Sequence, residues 1–106
     1  MQLEAVGKEQ YVFIRVRNLN GTSDNKPPLG YISLKEYWVS VKGFWPRYCA
    51  VYGCADAPDV GAHVQKVDSY DKSWYIVPMC YLHNNQRGEI LLVDESLLVR
   101  VNPRSY

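Results

Sequence analysis

All three cysteines and both histidines of this chain lie between Cys49 and Asn85. Cys49 and Cys54 form a C-x4-C pair, Cys80 and His83 form a C-x2-H pair, and His63 stands between the pairs in the run GAHV. Thiolate sulfur and imidazole nitrogen are the donors of tetrahedral Zn²⁺ sites, and four of them close the coordination shell. These residues make a candidate Zn²⁺ site with Cys49, Cys54, Cys80 and His83 as ligands. A C-x2-H pair at the start of a helix presents both side chains on one side of one turn, which favours His83 as the fourth ligand. His63 is the rival; it reaches the same ion only if its strand folds over the first cysteine pair. An odd cysteine count also suits metal ligation better than a disulfide framework. The bland alternative treats the cysteines as small buried apolar residues. A Cys80–His63 nucleophile pair is weaker, because it needs a free thiolate that a metal would consume.

The surrounding segments supply elements able to position these ligands. Pro46 precedes the first pair and Gly53 lies within it, so residues 49–54 read as a tight knuckle whose backbone amides turn toward sulfur. Ala62 to Val67 and Trp74 to Met79 read as strands, and the polar run Asp68 to Ser73 between them makes a hairpin. Cys80 to Gln86 reads as a short helix or turn ended by Gly88. Knuckle, hairpin and short helix, in that order, are what a treble clef requires.

Upstream, Tyr11 to Arg17 alternates, with Val12, Ile14 and Val16 toward the core and Arg15 and Arg17 outward, as in a half-buried strand. Asn18 to Gly30 is turn chemistry throughout and reads as a surface loop. Ser33 to Gly43 predicts a helix. Ser33 and Glu36 match a capping box, and Leu34, Tyr37, Trp38 and Val41 fall on one face. Lys35, Glu36 and Lys42 then face solvent, and Gly43 can end the helix in a left-handed conformation. Downstream, Ile90 to Val93 and Leu97 to Val101 are apolar runs separated by Asp94-Glu95-Ser96, which predicts a closing hairpin. The expected fold is a single α+β domain over 1–106, with small antiparallel hairpins and one or two helices around a treble-clef-like zinc centre. Its parts are an N-terminal strand, loop and helix (11–43), the zinc centre (49–85) and a C-terminal hairpin (89–102).

The central segment resembles an HNH-type treble clef. The matching pieces are Cys49 and Cys54, then His63 in GAHV, then Ile76-Val77-Pro78-Met79-Cys80, His83 and Asn84 or Asn85. The chain is also similar to short uncharacterised bacterial and phage proteins with an NxNGTSDN-like loop, a GAHV strand and a YIVPLC-like strand. The HNH resemblance implies a structural Zn²⁺ and, in an active member, a nuclease in which His63 is the general base beside a catalytic divalent metal. Two departures bear on that activity. Ala62 stands where such nucleases carry an Asp before the histidine, and no histidine follows His83. A metal-dependent nuclease without its metal ligands is slow or inactive, so the resemblance implies a degenerate catalytic site.

Composition narrows the partners. Twelve basic and eleven acidic residues leave a net charge of +1, without the clear positive excess of a strong nucleic-acid binder. Nine Tyr and three Trp against two Phe favour half-buried positions and contact surfaces. Aromatics interleaved with Arg15, Arg17, Arg47, Lys66 and Arg87 suit either stacked bases or a protein surface. The partner expected is a macromolecule, protein or nucleic acid, and the role is binding rather than catalysis. No Walker loop or G-x-G-x-x-G run is present, so no small-molecule cofactor is expected. No run approaches a membrane span, and the N-terminus has no apolar signal-like core, so a cytoplasmic location is expected.

Overall fold

The structure, a computed structural model, describes residues 11–19 and 27–101. In chain order its elements are β1 (Phe13–Asn18), α1 (Leu34–Lys42), β2 (Val60–Lys66), β3 (Trp74–Met79), α2 (Tyr81–Asn84), β4 (Ile90–Asp94), a 3-10 turn (Glu95–Leu97) and β5 (Val99–Val101). The strands form one antiparallel sheet in the order β4-β1-β2-β3-β5. Two helices and a five-stranded antiparallel sheet make a small α+β fold. Among the described residues no helix is long and apolar enough to cross a membrane.

The hairpin expected over residues 89–102 does not form, and residue 102 lies outside the described residues. β4 pairs with β1 and β5 pairs with β3, so the two runs occupy opposite edges of the sheet. The link between them is short. Asp94 to Val99, even fully extended, reaches about 17 Å, and part of it is wound into the 3-10 turn. A flat sheet would hold its outer strands about 19 Å apart. The sheet must therefore coil, bringing its edges toward each other at this corner. β1 lies between β4 and β2, so the three expected parts of the chain interleave in one sheet.

Strand alternation then sorts the interior into two clusters on opposite faces. Val16, Ala62, Val64, Val77, Met79 and Val93 face one way and pack against Cys49, Ala50 and Cys80. Ile76, Val99 and Val101 face the other way and are covered by Leu34 and Trp38 of α1. Of the alternating residues in the first run, Val16 is buried and Ile14 packs on the core, but Val12 is exposed.

Helix α1 forms as its caps predict. The Ser33 hydroxyl accepts from Glu36 N–H at 2.9 Å, and the Glu36 carboxylate accepts from Ile32 N–H at 3.0 Å. Gly43 ends the helix at φ 85°. Leu34 and Trp38 are buried and Tyr37 packs beside them, whereas Val41, at 54% exposure, lies beyond the edge of the apolar stripe. The helix lies very close to the sheet. A Cβ on Gly61 would stand 2.8 Å from Leu34 C and Lys35 N, so only glycine lets the backbones approach this far. Trp38 Nε1–H donates to Leu97 O at 2.9 Å and pins the helix to the β4–β5 corner.

Candidate metal centre

Four donors come together from three separate parts of the chain. Cys49 and Cys54 lie on the segment between α1 and β2, Cys80 directly follows β3, and His83 sits in α2. The ligand atoms of Cys49, Cys54, Cys80 and His83 all lie within 4.8 Å of one another and could hold a metal ion. Cys80 Sγ is 3.2 Å and Cys49 Sγ 3.8 Å from His83 Nδ1, and Cys54 Sγ is 4.0 Å from Cys80 Sγ. Among the described residues this is the one group of His, Cys, Asp and Glu so placed. The cysteines are free thiols.

The knuckle is held from both sides. Ala50 N–H donates to Pro78 O of β3, and Tyr52 N–H donates to Leu92 O of β4. Asp94 N–H donates back to Ala50 O, and Val51 bridges to Val93. Gly53, at φ 77°, supplies the left-handed residue of the turn, and Cys54 N–H donates to Val51 O at 3.0 Å. Cys80 N–H donates to Cys49 Sγ at 3.3 Å, an amide directed at one of the clustered sulfurs. The first turn of α2 is capped from a distance: Asp59 Oδ2 accepts from Tyr81 N–H at 2.9 Å.

Burial inside the cluster holds Cys49 in its protonated form. Burial pushes the Cys49 thiol up to about 12. The N–H groups of Val51 and Cys80 oppose the rise, and the neighbouring Cys80 and Cys54 sulfurs add to it. Without a counter-charge the buried thiol keeps its proton; a divalent cation held by these residues would offset that penalty and favour the thiolate.

The rival histidine is elsewhere. His63 lies between Ala62 and Val64 on β2, and those neighbours face the cysteine cluster. Alternation turns His63 to the opposite face of the sheet, where it is 1% exposed. Its ring meets Trp74 edge-on at 4.4 Å. Of the two histidines, His83 joins the cysteines and His63 does not.

The five basic residues singled out from the sequence do not share one face. Arg15 and Arg17 project from the same side of β1; Arg15 pairs with Asp68 at 2.8 Å, and Arg17 donates to Gly88 O at 2.9 Å. Lys66 points to the other side, 3.4 Å from Asp71 and over the Tyr75 ring. There the Tyr75 hydroxyl donates to Asp71, which lies well below the usual carboxylate range, first because of that bond. Arg87 is exposed in the turn after α2. Arg47 lines a groove of about 480 Å³ beside the knuckle, with Tyr11, Phe13, Tyr48 and Tyr52 on its walls. Two further residues act on the site without a local signal in the sequence: Asn18 and Asp59. Asn18 opens a turn-rich run, of which 20–26 lie outside the described residues, yet it is the last residue of β1 and is buried. Asp59 stands far from Tyr81 in sequence, and only the β2–β3 pairing brings them together.

No protein-family model, curated protein or solved structure matches this chain.

Proposed function

We propose that the protein is a small zinc-binding module whose Cys49, Cys54, Cys80 and His83 hold a structural Zn²⁺, and that it acts by binding a macromolecular partner. The observation that carries the zinc reading is the convergence of four soft and borderline donors from three segments. Zn²⁺ bonds of 2.0–2.3 Å in a tetrahedron would set donor separations of about 3.5–3.8 Å, close to the 3.2–4.0 Å found between the closest pairs. Four protein ligands leave no open position for substrate, which is the arrangement of a structural rather than a catalytic ion.

The order of knuckle, β2–β3 hairpin and α2 supports a treble-clef-like centre of HNH type with a degenerate catalytic site. No observation favours the nuclease alternative: His63, its required base, is buried on the far face beside Trp74. The groove beside the knuckle, with exposed Tyr48 and Tyr52 and with Arg47 at hand, supports a contact surface rich in the residue types of binding hot spots.

Elemental analysis with native mass spectrometry of protein purified without chelator tests the zinc reading. One zinc per chain is expected; metal-free protein with three titrating thiols would overturn it. For the partner, binding to DNA or RNA that weakens steeply with salt marks the nucleic-acid version. Absence of any such binding at low salt leaves the protein-partner version.

A further inference from the structure

We infer that Asn18 is a positioning residue for the metal centre: from the end of β1 it fixes the turn that carries His83, and so sets how well His83 ligates the ion. The inference rests on the zinc reading above.

Asn18 is 1% exposed and, with His63, is one of the two buried polar residues among the described residues. Its Nδ2 donates to three carbonyls of the α2 turn: His83 O at 3.1 Å, Asn84 O at 3.0 Å and Gln86 O at 3.0 Å. Its backbone holds the next stretch of chain, donating to Glu89 O and accepting from Gly88 N–H, each at 2.9 Å. One residue thus grips the segment from His83 to Glu89 at five points.

The need for such a grip follows from the shortness of α2. A four-residue helix has few hydrogen bonds of its own to fix its orientation. Within the turn His83 O also accepts from Gln86 N–H at 3.1 Å and Gln86 O from Glu89 N–H at 3.2 Å; Asn18 adds a further donor to each and one to Asn84 O, so the turn is tied to β1 as well as to itself. A carboxamide offers two N–H hydrogens on one nitrogen, which can be shared among several acceptors. With those bonds made, His83 cannot swing away from Cys80 without breaking contacts to β1, an interior strand of the sheet. Groups that orient a metal ligand in this way commonly change metal affinity by 10- to 100-fold when removed.

Asn18→Asp is the sharpest change. It keeps size and shape but turns acceptor oxygens toward three carbonyl oxygens. In the full chain, zinc affinity measured by competition with a chromophoric chelator is expected to fall about 10- to 100-fold. Made in a His83→Ala background, the same change is expected to cost no further affinity, because the ligand it positions is gone. Equal losses in both backgrounds would show a merely structural role, and no loss in either would show no role; both overturn the inference. In the cobalt-substituted protein, Asn18→Asp is expected to shift the visible d–d band in the direction that His83→Ala shifts it, and an unchanged band overturns the inference. If Asn18→Asp does not fold, the coupling is read from the other side, since coupling between sites is reciprocal. In the zinc form, the Asn18 side-chain amide protons are expected to exchange faster in His83→Ala than in wild type, and equal rates overturn the inference. A wild-type chain that binds no zinc would instead sink the zinc reading itself, before Asn18 is touched.

Discussion

The two faces of the sheet are filled by different chemistry. On the α1 face, Trp38, Trp45, Leu34 and Ile76 bring large apolar surfaces together, and Trp38 meets Trp45 and Phe44 edge-on at 5.5 and 5.3 Å. On the knuckle face Ala50, Ala62, four valines and Met79 pack with Cys49 and Cys80, and three thiols and an imidazole come together there. The first face can be stabilised by burial and dispersion alone. The second also buries apolar residues, Val16, Val64, Val77, Met79 and Val93 among them, but it places four ionisable donors at its centre, and a buried thiolate there would need a cation beside it. If the cluster holds its ion, the sheet has an apolar core alone on one side and a core built around coordination on the other, and each side should fail under a different stress.

Metal removal should separate the faces most strongly. Structural zinc contributes on the order of 10 kcal/mol or more to folding, against a net domain stability of about 5–15 kcal/mol. Cys80→Ser, or chelation of the wild type, should unfold most of the domain by circular dichroism. Wild-type-like melting of both Cys49→Ser and Cys80→Ser would mean the knuckle face stands without metal, and the contrast between the faces would collapse.

Trp38→Ala attacks the other face. Removing a fully buried Trp costs about 3–5 kcal/mol, and here it also leaves Leu97 O without its indole donor. The zinc-loaded variant should melt lower while its cobalt form keeps the wild-type spectrum. A changed spectrum in the folded variant would show that the two faces are not independent.

The knuckle face should also carry the pH dependence. The Cys49 thiol is raised from 9.0 to about 12 in the metal-free fold, so that fold holds a proton which the unfolded chain would release. The metal-free fold is accordingly favoured below pH 9.0 and loses that advantage as pH rises toward about 12. Zinc binding must expel the same proton at neutral pH. Apparent zinc affinity should therefore rise about tenfold per pH unit from this one group, for instance between pH 6 and 8. Trp38→Ala should leave that slope unchanged. A flat profile in a chelator competition would mean that Cys49 does not ligate as a thiolate.

A smaller effect belongs to the junction of α1 and β2. Gly61→Ala forces a Cβ against backbone atoms rather than against a flexible side chain. The expected cost is about 1–3 kcal/mol in chemical denaturation. A neutral result would place α1 farther from the sheet than the structure has it.

These differences explain what could be read from the chain itself. Local signals were reliable: the Ser33–Glu36 box, the Gly43 stop and the β2–β3 hairpin depend on neighbours within one or two elements, whereas the grouping of Cys49, Cys54, Cys80 and His83 crosses two strands and was legible from donor type and pair spacing. The assignment of His63 depended on strand parity, which says that His63 opposes Ala62 and Val64 but not which face the cysteines occupy. The pairing of β4 and β5 failed because a short polar link usually joins hairpin partners. Here Asp94 caps the 3-10 turn, its Oδ1 accepting from Ser96 N–H at 3.0 Å, and coiling of the sheet lets the same link join opposite edges. Asn18 and Asp59 were hidden for a related reason: each acts on a turn more than twenty residues away, and in isolation each is an ordinary loop residue.

The smallest predicted effects compare one cap from each face. Ser33 caps α1 from the adjacent residue, and Asp59 caps α2 across the sheet. Replacing either by Ala removes one acceptor from an N-terminal amide, at about 0.5–2 kcal/mol. The totals should be similar, but their distribution should not. α1 has its own aromatic face to hold it, so Ser33→Ala should lower the melting temperature of the zinc form and leave zinc affinity alone. α2 has four residues, none of them buried, and begins one residue after Cys80. Loss of the Asp59 cap should therefore appear partly as weaker zinc binding, because the turn that links Cys80 to His83 is then held only by its other contacts. Measuring melting temperature and zinc affinity for both variants separates the cases. Identical behaviour of the two caps would mean that the knuckle face is as self-supporting as the helical one.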